Sequence, residues 1–391
     1  MRERIEYLDS LRGIAAMTVV IFHCMISFVI FHSANYKSEY ANGFIKIITE
    51  SPLKLIWNGK EAVLLFFVLS GFVLSISYLN GRARAFDIFL VRRFARIYIP
   101  YAVVMAISII LTMIFYRYSH IDGMSSTFDN RWANPVTLKS IIAYIFMINY
   151  DTANVNGVVW TLYHEMRISI IFPLIMWVVI KWDAFKSLLI NGIVIVGVWI
   201  FFTLIVRGTD GVISSLAGDF RSTAFYTIFF VFGATLSKYR GEVSDYISNL
   251  KPIFKFFLFS LSIILISSRW IKDVVPLQPR YVHEIVVGLG IVLLFVVALS
   301  SELTQRILMN KFLLWLGKIS FSLYLIHILV LMILAITFGK YAIWLTPIVS
   351  LPLAALTYKY VEEPAIRIGG RWTGILTERT KLKRKDRAEV V

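Results

Sequence analysis

The chain has 391 residues, of which 58% are hydrophobic and 16% charged, with a mean hydropathy of +0.73, whereas ordinary soluble domains carry about 45–50% apolar and about 25% charged residues. Apolar stretches of about 20 residues recur along the whole length, each long enough to cross about 30 Å of hydrocarbon, so the sequence describes an all-α polytopic membrane helix bundle. The formal charge of +16 lies in short loops between apolar runs, which argues against nucleic acid as a partner, and the single cysteine, Cys24, excludes an internal disulfide and a multi-cysteine metal site.

In chain order the apolar segments are about 8–32, 60–79, 94–116, 137–149, 160–180, 187–206, 221–237, 253–271, 284–300, 312–337 and 341–362. The first run exceeds a typical signal-peptide core and no A-x-A-like site follows it, so no cleavable leader is expected. If all eleven segments crossed, the two basic termini would lie on opposite faces. The fourth, TLKSIIAYIFMIN, has 13 residues, the length of a re-entrant or interfacial element. With that segment not crossing, Arg2 and Arg4, the 82–96 loop, Lys181 and Lys186, Lys238 to Lys255, Arg306 and Lys311, and the tail share one face, as the positive-inside rule requires. The expectation is about ten transmembrane helices with both termini cytoplasmic. It comprises an integral membrane domain over 1–372 and a basic tail over 373–391. Trp57, Trp132, Trp160, Trp182, Trp270, Trp315 and Trp344 fall near segment ends, as an interfacial belt should. The outward loops are then 33–59, 117–159, 207–220, 272–283 and 338–340. The longest is rich in Asn, Asp, Gly and aromatics, a composition that suits hydroxyl-rich ligands and equally any solvated loop.

The first segment, LDSLRGIAAMTVVIFHC, places ionisable groups in lipid, where they are costly and mark function. Arg12 and His23 are 11 residues apart, which puts them about 20° apart around a helix and about 16 Å apart along it. Gly13 and Ala16 make that face thin, so a neighbouring helix can approach closely. Taken alone, Arg12 fits a snorkelling side chain, and His23 fits a neutral interhelical hydrogen-bond partner. WTLYHEM opens the fifth segment with Glu165, and FSLYLIHILV buries His327. From the assumed topology both histidines lie about 22 Å from the cytoplasmic edge, and Glu165 about 7 Å from the outer edge of a slab about 30 Å thick. A histidine and a carboxylate at one depth suit a general base and its orienter. His164 and Glu165 are neighbours and cannot both face one site, and HExxH is absent, so no metal site is expected. Arg93 and Arg96, at i, i+3, share one helix face and form a phosphate clamp suited to a diphosphate or a 3′-phosphate. No Walker or Rossmann glycine pattern appears.

These residues resemble the acyltransferase 3 family of integral membrane O-acyltransferases, which modify bacterial surface glycans. LDSLRGIAAMTVVIFHC is similar to its opening motif, carried here by Arg12 and His23. VLLFFVLSGFVLS resembles its FFxxSGF segment, with Ser70 and Gly71. Arg93 and Arg96 match its R-x-x-R pair, WTLYHEM its WSLxxE element through Glu165, FSLYLIHILV its SYSLYLxH motif through His327, and VEEPAIR its V-E-x-P ending. The chain departs from that pattern in having Thr161 where Ser is common and His164 before the glutamate. The resemblance implies no permanently bound cofactor. It implies acyl-CoA, acetyl-CoA by default, as donor co-substrate on the cytoplasmic side of a bacterial inner membrane. The acceptor would be a glycan or lipid-linked sugar hydroxyl on the other side. His23 would act as general base or as covalent acyl carrier, with Glu165 or Asp9 orienting neighbouring groups and Arg12, Arg93 and Arg96 holding the donor. A transporter or flippase of lipid-linked sugars is the rival reading; it would be marked by inverted repeats, and the sequence contains no internal repeat.

Overall fold

The computed structural model describes residues 5–80, 86–268 and 280–375. Among them the regular structure is helical, apart from one isolated bridge between Phe28 and Met124. Arg2, Arg4, Arg82, Arg84, Trp270 and the tail from 376 lie outside the described residues. The long helices are α1 (Glu6–Ile26), α2 (Gly59–Leu79), α3 (Phe86–Phe115), α4 (Trp160–Lys181), α5 (Ala184–Gly208), α6 (Gly211–Lys238), α7 (Pro252–Ile266), α8 (Arg280–Ser300), α9 (Lys311–Phe338) and α10 (Thr346–Thr357). After α10 a π-helical turn, Tyr358–Glu362, leads into helical backbone that continues to 375. Eight stretches of the described residues are long and apolar enough to cross a membrane. The other two long helices are α6, which carries Asp219 and Arg221 in its first half, and α7, with 15 residues. The fourth apolar segment is reduced to a helix of 8 residues, Leu138–Ile145, about 12 Å long and too short to cross.

Two expectations are corrected. The 207–220 loop is helical from Gly211 onward, where the charge of Asp219 is answered across the interface by Arg167 of α4 at 2.7 Å; the ion pair offsets part of the cost of placing a carboxylate inside the bundle. The first segment ends early, at Ile26. There Ser27 and Phe28 leave the helix to bond a strand-like stretch at Met124–Ser125, through Ser125 N to Ser27 O at 2.9 Å and Ser125 Oγ to Ile26 O at 2.6 Å.

In lipid, helices associate by close packing of small residues rather than by expulsion of water. The centre of the bundle is α9, whose most apolar stretch is 83% buried, whereas that of α5 is 6% buried and faces outward. α1 and α9 run parallel in a one-to-one register. Gly13 lies on Gly317, where an added Cβ would come within 2.5 Å of the Gly317 nitrogen. Further along the same pair of helices, the His23 and His327 rings meet with centroids 5.3 Å apart. α6 packs antiparallel on α2 and just as closely, with Gly71 against the backbone of Phe230 and Gly233 against that of Val68. At one end of the bundle Ser10 Oγ donates to Leu308 O at 2.5 Å, Arg92 Nε to Thr373 Oγ1 at 2.9 Å and Lys238 Nζ to Trp182 O at 2.6 Å. Arg92, Lys181, Lys238 and Lys311 therefore gather at a common basic end.

Candidate active site

From the basic end a cavity of about 570 Å³ opens into the bundle, lined by Asp9, Arg12, Asn80, Arg92, Arg93, Arg96, Lys318 and Glu362. A second, deeper chamber of about 100 Å³ is lined by Phe66, Ser70, Thr161, Glu165 and Tyr324. The two share Arg12, Val73, Leu74, Arg93, Arg96, Ser320 and Phe321 on their walls, so a wide basic vestibule narrows at three arginines. The helical start at Phe86 is what aligns Arg93 and Arg96. Both lie on one face of α3 rather than in a loop, as their spacing predicts.

The arginines are not equivalent. Arg93 Nη2 donates to Glu165 Oε1 at 2.6 Å and its Nε to Ser169 Oγ at 3.2 Å, while Ser169 Oγ donates to the Glu165 carbonyl at 2.7 Å. Ser70 Oγ of α2 donates to the same Glu165 oxygen at 3.1 Å. Three helices thus hold one carboxylate, whose side chain remains 19% exposed. Arg12 is paired within its own helix to Asp9 at 3.1 Å. Arg96 is exposed on the wall of both cavities. Glu362, brought to the vestibule by the π-turn, accepts from Ser322 Oγ at 2.7 Å.

The structure therefore brings Arg12, Ser70, Arg93, Arg96 and Glu165 to one cavity system, with Asp9 at its mouth. His23 and His327 pair with each other instead and are not among the residues that line either cavity. Tyr324 joins the two groups. It lines the chamber, bonds Thr161 Oγ1 at 2.9 Å, and its ring centroid is 6.0 Å from that of His327, about one helical turn further from the basic end. Glu165 is engaged by Arg93 and Ser70 rather than by a histidine. His164 turns away from Glu165 to Thr223 Oγ1 of α6 at 2.8 Å, as adjacent helical residues must.

Sequence reasoning missed Arg131, which reaches His23 Nδ1 at 2.9 Å from the connection between α3 and α4. It is buried, and burial pulls its guanidinium from 12.5 down to about 10, still a cation at neutral pH. Nothing in a polar loop separates such an arginine from a solvated one. Glu362 and Tyr324 lay within quoted motifs but were not assigned a place at the site.

A membrane-embedded bundle with a polar cavity ending at a carboxylate and hydroxyl groups has the form of an integral membrane enzyme. The sequence model of a family described as "Acyltransferase domain" matches residues 5–358. The chain belongs to this acyltransferase 3 family. It is similar to the O-acetyltransferase PaAT-1 of Phomopsis amygdali, with 29% identity over 144 residues, a match covering 33% of this chain and 28% of that protein. No solved structure matches the chain.

Proposed function

We propose that the protein moves an acyl group, acetyl by default, from acyl-CoA at the basic, cytoplasmic end to a hydroxyl of a cell-surface or exported glycan presented from the opposite side of a bacterial inner membrane. The observation that carries this reading is the basic vestibule narrowing at Arg12, Arg93 and Arg96 into a chamber closed by Ser70, Glu165 and Tyr324. Coenzyme A is a polyanionic head on a thin pantetheine arm. Guanidiniums suit its phosphates, and the narrower chamber suits the thin arm and its acyl group. Arg96 and Lys318 meet the phosphates first, and Arg93, braced by Glu165 and Ser169, sits where the arm enters. The acceptor hydroxyl is activated at the histidine pair beyond Tyr324, formed by His23 and His327. The 117–159 connection, which reaches His23 through Arg131, forms the acceptor side.

The test is incorporation of label from radiolabelled acetyl-CoA into glycan by membranes containing the protein, with mass spectrometry of surface glycans from a deletion strain. Loss of one acyl group from a glycan in that strain identifies group and acceptor together. His23→Ala should lower transfer at least about 100-fold while folded protein remains in the membrane; unchanged acylation in that variant refutes the placement of chemistry at the histidine pair.

A further inference from the structure

The two histidines have opposite hydrogen-bond surroundings. Arg131 donates Nη1 to Ser27 Oγ at 3.2 Å and Nη2 to His23 Nδ1 at 2.9 Å. A guanidinium has donors only. Nδ1 of His23 must therefore accept, and the neutral ring carries its proton on Nε2. His327 is reversed. Its Nδ1 lies 3.2 Å from the Leu323 carbonyl, which only accepts, so Nδ1 bears the proton. Its Nε2 is buried with no hydrogen-bond partner and keeps its lone pair. With centroids 5.3 Å apart, a ring that carries its proton on Nε2 lies against a ring whose Nε2 has an open lone pair.

Arg131 is held in place for this contact. It is 4% exposed. The next residue, Trp132, is fully buried and donates Nε1 to Val155 O at 3.1 Å. Six residues before Arg131, Ser125 bonds the end of α1 through both its backbone and its hydroxyl. A loop anchored on both sides delivers a buried cation to a single ring nitrogen.

We propose that Arg131 is a positioning residue that fixes His23 as an Nε2–H donor and thereby leaves His327 Nε2 as the proton acceptor of the transfer reaction. The inference rests on the acyl-transfer reading above and divides the work within its histidine pair. The acceptor hydroxyl gives its proton to His327 Nε2. The oxygen lone pair forms a C–O bond at the thioester carbonyl carbon, and His23 Nε2–H donates to the carbonyl oxygen while that oxygen carries negative charge. The C–S bond then breaks, and the departing thiolate recovers the proton from His327, giving ester and free coenzyme A.

The experiment uses the full chain in membrane vesicles of its host, whose own glycans are the acceptor, and radiolabelled acetyl-CoA as the probe. His23→Gln keeps an amide N–H near the Nε2 position and has no basic nitrogen. It should retain at least about one-tenth of the wild-type rate, whereas His23→Ala should fall by about 10²–10³-fold, the usual cost of a lost oxyanion donor. His327→Gln should be inactive. Arg131→Met should lower kcat at least tenfold with KM for acetyl-CoA within about twofold, and Arg131→Lys, which keeps a donor-only cation, should recover most of the loss. His23→Gln as inactive as His23→Ala, or His327→Gln at the wild-type rate, overturns the assignment while leaving acyl transfer standing. No labelled glycan from wild-type membranes overturns the acyl-transfer reading itself. If Arg131→Met is not recovered as folded protein by size exclusion, the His23→Gln and His327→Gln pair decides alone.

Discussion

Replacing Glu165 by Gln keeps shape and hydrogen bonding but removes the carboxylate that pairs with Arg93 at 2.6 Å. Coenzyme A is an anion, so the substitution should tighten donor binding even as it impairs turnover. One elementary charge acting over about 8 Å through a water-filled vestibule, at an effective dielectric of about 40, is worth about 1 kcal/mol for each phosphate charge. After screening, a net gain of about 1 kcal/mol corresponds to a Kd about fivefold lower. Arg93→Gln should raise Kd by a comparable factor, and the double variant should return near wild type, because the two charges are removed together. Isothermal titration calorimetry of free coenzyme A into the detergent-purified protein measures all three, and the differences should shrink at high salt. Weaker binding in Glu165→Gln, or unchanged binding in both single variants, would refute the docking of phosphates at this arginine junction.

Other substitutions separate binding, packing and pairing. Arg96→Ala, at an exposed wall position, should weaken coenzyme A binding severalfold without lowering the thermal midpoint, as read by calorimetry and a melting curve. Gly317→Ala would press a methyl group into the backbone of Asp9 and should cost about 1–3 kcal/mol, seen as a lower midpoint and a lower yield of folded protein. Asp219→Asn leaves Arg167 and His164 facing a neutral partner in a buried interface. Because breaking a buried pair from one side is destabilising by about 3–5 kcal/mol, its melting midpoint should fall more than that of Arg96→Ala.

Much of the architecture is legible in sequence because span length and residue composition are local. A run of about 20 apolar residues announces a crossing wherever its neighbours lie, and the 13-residue fourth segment announced that it was different. The i, i+3 spacing of Arg93 and Arg96 gave their common face, and the thin Gly13 and Ala16 face anticipated the close approach of another helix, though not which one. The start of α6 was misread because a sequence window around Asp219 sees a charge and not the guanidinium that pairs with it across the bundle.

The sequence by itself determined that this is a polytopic membrane bundle with a basic end, buried arginines and histidines, and the motifs of an acyltransferase. Each of those facts depends only on residues close together in the chain. Tertiary structure alone decided that Glu165 belongs with Arg93 and Ser70, that His23 belongs with His327, and that Arg131 reaches into the bundle to bond His23. Those pairings join residues about 70 to 300 positions apart. They follow from which helices pack side by side and in what register, and the Gly13–Gly317 contact sets that register for the histidine pair.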